Sequence, residues 1–145
     1  MHLDPYRASE LLLEECRMVL PGLQALFGFQ LIAVFSDGFH VRLSGGEQIA
    51  HLCAMGLVLL SIALVMTPAS LHRRRGPMEV SEDFVRLTAR LLLLSMPSLM
   101  LAICVDVYLV TQVIVGSRGV SLGVAIATGA MFTALWFVLP RTVRL

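Results

Sequence analysis

The chain has 145 residues, 57% of them hydrophobic and 14% charged, and a mean hydropathy of +0.84. A soluble domain of this length needs more polar surface to cover its core, so composition assigns the membrane class. The net charge is +1, which excludes a general attraction to nucleic acid.

Four windows are long and apolar enough to span a bilayer, which takes about 20 residues each. They predict helices over 18–38, 48–68, 86–115 and 119–140. The expected fold is all-α, an integral membrane four-helix bundle over 18–145 with an N-terminal interfacial amphipathic helix over 1–17. Asp4, Glu10, Glu14 and Glu15 are wrong for a cleavable signal peptide. Asp4 can cap a helix and Pro5 suits its first turn, while Leu12, Cys16, Val19 and Leu20 give it an apolar stripe. Such a helix would lie on the membrane surface and feed the first span at Pro21-Gly22.

Gln24 and Gln30 lie inside the first span and Asp37 closes it. Gln30 and Asp37 are seven residues apart and predict one shared helix face, while Gln24 lies on another. His51 sits one turn into the second span. Between the second and third spans runs HRRRGPMEVSEDF, in which Ser81, Glu82 and Asp83 predict a helix start and Glu82 can pair with Arg86. The third span carries a single acid, Asp106, and Pro97 predicts a kink that frees the Leu93 carbonyl, near the hydroxyls of Ser95 and Ser98. The fourth has two small-residue ridges, Gly119, Gly123 and Ala127, and Ser121, Ala125, Gly129 and Thr133; one suits internal packing and the other a partner, although four-helix bundles can use both internally. Trp136 and Phe137 suit an interface anchor.

All eleven basic residues are arginine. With four spans, one side of the membrane holds Arg7, Arg17, Arg73, Arg74, Arg75, Arg86, Arg90, Arg141 and Arg144, and the other only Arg42 and Arg118. This bias predicts both termini in the cytoplasm. Arg73, Arg74 and Arg75 are candidates for anionic lipid head groups, though such runs commonly only fix topology.

The intramembrane polar residues Gln30, Asp37, His51 and Asp106 form a candidate cluster near the outer boundary, with His51 and Asp106 expected to pair across helices. Interhelical glue is the bland alternative to an ion path. No metal is expected: His51 and Cys53, like Cys104 and Asp106, are two apart on a helix and point about 200° from each other. The cysteines read as packing residues, with a Cys53–Cys104 disulfide left open. No cofactor is expected, since His51 alone lies in a span and a bis-histidine haem needs two; a single His51 could ligate a pigment such as chlorophyll, but a lone histidine is more often a hydrogen-bonded bundle residue. No phosphate loop, nucleophile motif or HExxH is present, so no catalytic residue is assigned and an enzyme is not expected.

Phe35-Ser36-Asp37 is similar to a tripeptide of the lysosomal potassium-channel family, but Leu31 stands where that pattern has arginine, so no channel function is carried over. LPGLQALFGFQLIAVF (Leu20 to Phe35) and MTPASLHR (Met66 to Arg73), with Glu15 and Arg17 before them, resemble a bacterial family of small four-span membrane proteins of unknown function. The resemblance covers nearly the whole chain and implies no established activity, although some relatives carry a sodium/proton antiporter label. It points to Arg17, Gln24, Gln30, Pro68, His72 and Arg73. Scarce catalytic groups, small size and small-residue ridges then predict an accessory subunit of a larger bacterial inner-membrane complex, respiratory or photosynthetic. The alternative is a small oligomeric proton or cation transporter or channel. Expected partners are membrane lipids and other integral membrane subunits or further copies of the chain.

Overall fold

A computed structural model describes residues 5–75 and 82–142, and the side chains of 7–73 and 82–141. The expected caps at Asp4 and Ser81, and the side chains of Arg74 and Arg75, lie outside the described residues. The fold is all-α: α1 (Pro5–Ala33), α2 (Asp37–Arg42), α3 (Gly45–Arg75), α4 (Glu82–Val115) and α5 (Arg118–Thr133), which continues through a π-helical turn (Ala134–Val138) into α6 (Leu139–Thr142). Among the described residues, four stretches are long and apolar enough to cross a membrane: Arg7–Ala33, Gly45–Arg73, Glu82–Val115 and Arg118–Arg141.

The amphipathic start and the first span, expected as two elements, are one continuous helix with Pro21 inside it. Its buried residues Ser9, Cys16, Leu23 and Gln30 recur every seven positions. In α3 the same period runs through Glu47, Ala54, Ser61 and Pro68, and in α4 through Thr88, Ser95, Ala102 and Leu109. A seven-residue repeat keeps one seam of a helix turned toward its neighbours. Apart from Leu23 and Leu109 these seams are small or polar, whereas Phe29, Leu52, Leu93, Ile114 and Ile126 are among the large apolar side chains left outside. That inversion suits a lipid surround, where small residues let backbones approach and large ones meet hydrocarbon.

Helix boundaries differ from expectation for local reasons. The first helix ends at Ala33, five residues early, because Ser36 takes an extended backbone, closes on the Ala33 carbonyl through Oγ (2.7 Å) and starts α2. α3 starts at Gly45 because Glu47 Oε2 accepts from both the backbone N–H and the hydroxyl of Ser44, each at 2.8 Å. The acceptance of the Ser44 N–H by Glu47 is one half of a capping box, legible in Ser44-Gly-Gly-Glu47 but not read from it. Glu47→Ala is expected to cost about 0.5–2 kcal/mol and to raise amide exchange selectively over 45–48. Nor does Pro68 end α3: it is buried within the helix, and Thr67 Oγ1 donates to the Ala63 carbonyl beside the freed backbone group. α4 closes at Gly116, whose φ of +69° and N–H bond to the Gln112 carbonyl form a left-handed cap. The π turn widens the helix just before Pro140, with the Leu139 N–H bonded back to the Ala134 carbonyl.

Two compact units are distinguished by contact. In Met1–Phe29 with Val58–Leu99, Cys16, Leu23, Val65 and Leu92 form the core. There Ser61 and Ser98 share a hydroxyl hydrogen bond, and Ser98 also donates to the Ser95 carbonyl at 3.0 Å. Ser95 Oγ serves the Leu92 carbonyl, so the two hydroxyls bond to either side of the Leu93 carbonyl they were expected to help. In Gln30–Leu57 with Met100–Leu145, Phe39, Leu43 and Leu109 form the core, flanked by Val34, Val105, Tyr108 and Val113.

Candidate functional site

The second unit holds a polar triad drawn from three helices, with two members buried and the third, Asp106, half-buried. Gln30 stands in the last turn of α1, at the end of the Ser9–Cys16–Leu23 row, where backbone carbonyls run short of helical donors. His51 lies one turn after Glu47 on the buried seam of α3, and Asp106 comes from α4. Gln30 Nε2 donates to Asp106 Oδ2 at 2.7 Å. His51 Nε2 lies 2.9 Å from the backbone carbonyl of Gln30, and its Nδ1 lies 3.7 Å from Asp106 Oδ1. That last separation is an ion-pair distance and too long for a hydrogen bond. Gln30 and His51 are only 3% and 5% exposed.

Phe39 of α2 packs edge-on against the His51 ring, with centroids 5.1 Å apart. The short helix α2 is held in turn by Arg42, whose guanidinium donates to the Val113 carbonyl at 2.8 Å in the last turn of α4. There it supplies a cation where a helix end carries partial negative charge. A second polar link joins α3 to α4: Tyr108 donates its hydroxyl to Glu47 Oε1 at 3.2 Å. Sequence reasoning missed Glu47, Tyr108 and Arg42. The capping-box spacing could have found Glu47, but the partners of the other two lie far along the chain and leave no local signal.

The structure brings Gln30, His51 and Asp106 together and leaves Asp37 out. Seven-residue spacing puts Asp37 on the Gln30 face only if the helix continues, and it stops at Ala33; Asp37 is exposed in the first turn of α2. Arg17, Gln24 and Arg73 are exposed, and the half-buried His72 ring packs on Phe84 with centroids 6.0 Å apart. Cys53 and Cys104 are both free. Of the two ridges on α5, one is internal: Ser121 is fully buried and donates to Gln112 Oε1 at 3.0 Å, and Gly129 faces Cys104. On the other, Gly119, Gly123 and Ala127 are exposed, with open space where either glycine would carry a Cβ.

No curated protein and no solved structure matches the chain. The sequence pattern described as a family of unknown function (DUF6328) matches residues 5–140.

Proposed function

The chain belongs to the DUF6328 family, a family of unknown function, and from that premise we propose that it is a non-enzymatic accessory subunit that stabilises a larger complex of the bacterial inner membrane, respiratory or photosynthetic. Its four long apolar helices suit a small membrane protein. The observation that carries the accessory role is the open ridge of Gly119, Gly123 and Ala127 on α5, a helix whose other small ridge is already used. In hydrocarbon the hydrophobic effect does not hold helices together, so a small-residue ridge that admits close approach is the means by which a partner helix would pack. The arginine distribution supports cytoplasmic termini, with Arg73 at the end of α3 within reach of lipid head groups.

Gentle purification in detergent tests this reading. Stoichiometric co-purification with other membrane subunits is expected, and Gly123→Leu is expected to release them. A chain that purifies alone under the same conditions overturns it.

A second reading, a small oligomeric proton or cation transporter or channel, is favoured by one observation: an acid and a histidine face each other from two neighbouring apolar helices. Four spans would need at least a dimer to enclose a path. A pH- or cation-dependent flux in liposomes reconstituted with the pure protein supports it, and none at any protein density rejects it.

A further inference from the structure

The protons of the triad can be counted. A carbonyl has no hydrogen to give, so at 2.9 Å from the Gln30 carbonyl it is His51 Nε2 that carries the proton. In the neutral ring Nδ1 is then a bare acceptor, and it faces Asp106 Oδ1 at 3.7 Å. The other carboxylate oxygen already accepts from Gln30 Nε2. A neutral imidazole beside an ionised carboxylate would therefore set a lone pair against an anionic oxygen, with one net negative charge on a carboxylate that is 17% exposed and packed against two groups almost shut off from solvent. Burying such a charge without compensation is costly.

We propose that His51 Nδ1, facing Asp106 Oδ1, takes up a single exchangeable proton, so that the pair is a proton-binding site between α3 and α4. On uptake from water an Nδ1–H bond forms, directed at Oδ1, and the pair goes from one negative charge to none. On release that bond breaks and the proton returns to water; no other covalent bond changes. The site holds whether or not the protein transports anything.

Gln30 responds to the same chemistry. Its Oε1 is buried with no hydrogen-bond partner among the described residues. A carboxamide carries its donor and acceptor at the two ends of one planar group, so a half-turn exchanges them. While Asp106 is ionised, the NH2 end must face it. Once Oδ2 takes a further proton, the Oε1 end becomes the matching partner and the amide turns over.

The surrounding ionisable groups are otherwise occupied or turned outward. Glu47, one turn before His51 on α3, is bonded to Ser44 and to Tyr108 of α4. Asp37, His40 and Arg42 of α2 and Arg118 of α5 are exposed, and α2 presents the Phe39 ring to the imidazole. Cys104 of α4 packs toward Gly129, and Cys53 of α3 is exposed. From α1 the neutral Gln30 is the polar group supplied to the site.

The test is nitrogen NMR of the full chain in bilayers with 15N-labelled histidine, identifying the His51 signals by their loss in His51→Gln. At high pH His51 is expected as the Nε2–H tautomer, gaining a proton at Nδ1 in one step as pH falls. Asp106→Asn should weaken that proton affinity by about tenfold or more, and Asp106→Glu should restore most of it. The Nδ1–H tautomer at high pH in the unmodified protein overturns the proposal, even if no variant folds. So does an unchanged titration in a folded Asp106→Asn protein, or signals that follow sodium concentration at fixed pH and ignore pH itself.

Discussion

His51→Leu is expected to destabilise the protein by about 3–5 kcal/mol, the cost of removing one partner from a buried charge pair. The substitution strands the Asp106 carboxylate with Gln30 Nε2 alone, and takes a 2.9 Å donor from the Gln30 carbonyl. The size of the loss depends on whether a charge is left unpaired. If the triad were ordinary interhelical glue, each hydrogen bond would be worth only about 0.6 kcal/mol on average in a membrane protein. If an uncompensated acid is left behind, the loss is several-fold larger. The double variant His51→Leu/Asp106→Leu separates the cases, because it removes the stranded group. It is expected to be more stable than His51→Leu alone, with a coupling energy of about 1–3 kcal/mol in a double-mutant cycle. Unfolding in detergent, followed by helical circular dichroism, provides the measurement; strictly additive losses would defeat the pairing.

The second large effect is on α5. Gly129 carries no side chain because Cys104 of α4 is in the way: a Cβ there would meet the cysteine Sγ at 3.3 Å. Leucine adds three further carbons at the same point, so Gly129→Leu must push α5 off α4 or drive Cys104 from its rotamer. Overpacking of this kind costs about 1–3 kcal/mol. Gly123→Leu, six residues away on the open ridge, is expected to change the isolated chain by less than about 0.5 kcal/mol. Equal thermal midpoints for the two variants in detergent would mean that α5 does not pack through Gly129. The contrast also guards the partner experiment, since Gly123→Leu can then disrupt an assembly without harming the fold of the chain itself. A smaller substitution sharpens the assignment: Cys104→Ala should relieve Gly129→Ala.

Part of the site was legible in the sequence, because an acid and a histidine within apolar windows have few partners to choose from. The spacing of Gln30 and Asp37 misled for a definable reason. Angular position on a helix carries from one residue to another only while the helix lasts, and Ser36 restarts the chain after Ala33. Ser36-Asp37-Gly38 has the composition of a helix start, which was a sufficient signal for that break. The early start of α3 was equally present in Ser44 and Glu47. By contrast Tyr108 and Glu47 are 61 residues apart, and Arg42 lies 71 from the carbonyl it caps, so neither contact has a local trace.

The sequence by itself determined that this is an all-α chain with four helices able to cross a membrane, because the length and apolarity of a segment are local properties that lipid reads directly. It also determined which polar groups would need partners, since hydrocarbon makes each of them costly alone. Only the tertiary structure decided which of them meet. That depends on how each helix is turned about its axis, and so on which residues of α1, α3 and α4 fall on its buried seven-residue seam. It brought Gln30 to Asp106 across 76 residues, left Asp37 outside, and directed the Nε2 of His51 at a backbone carbonyl. From that last contact the tautomer follows, and with it the place for one proton.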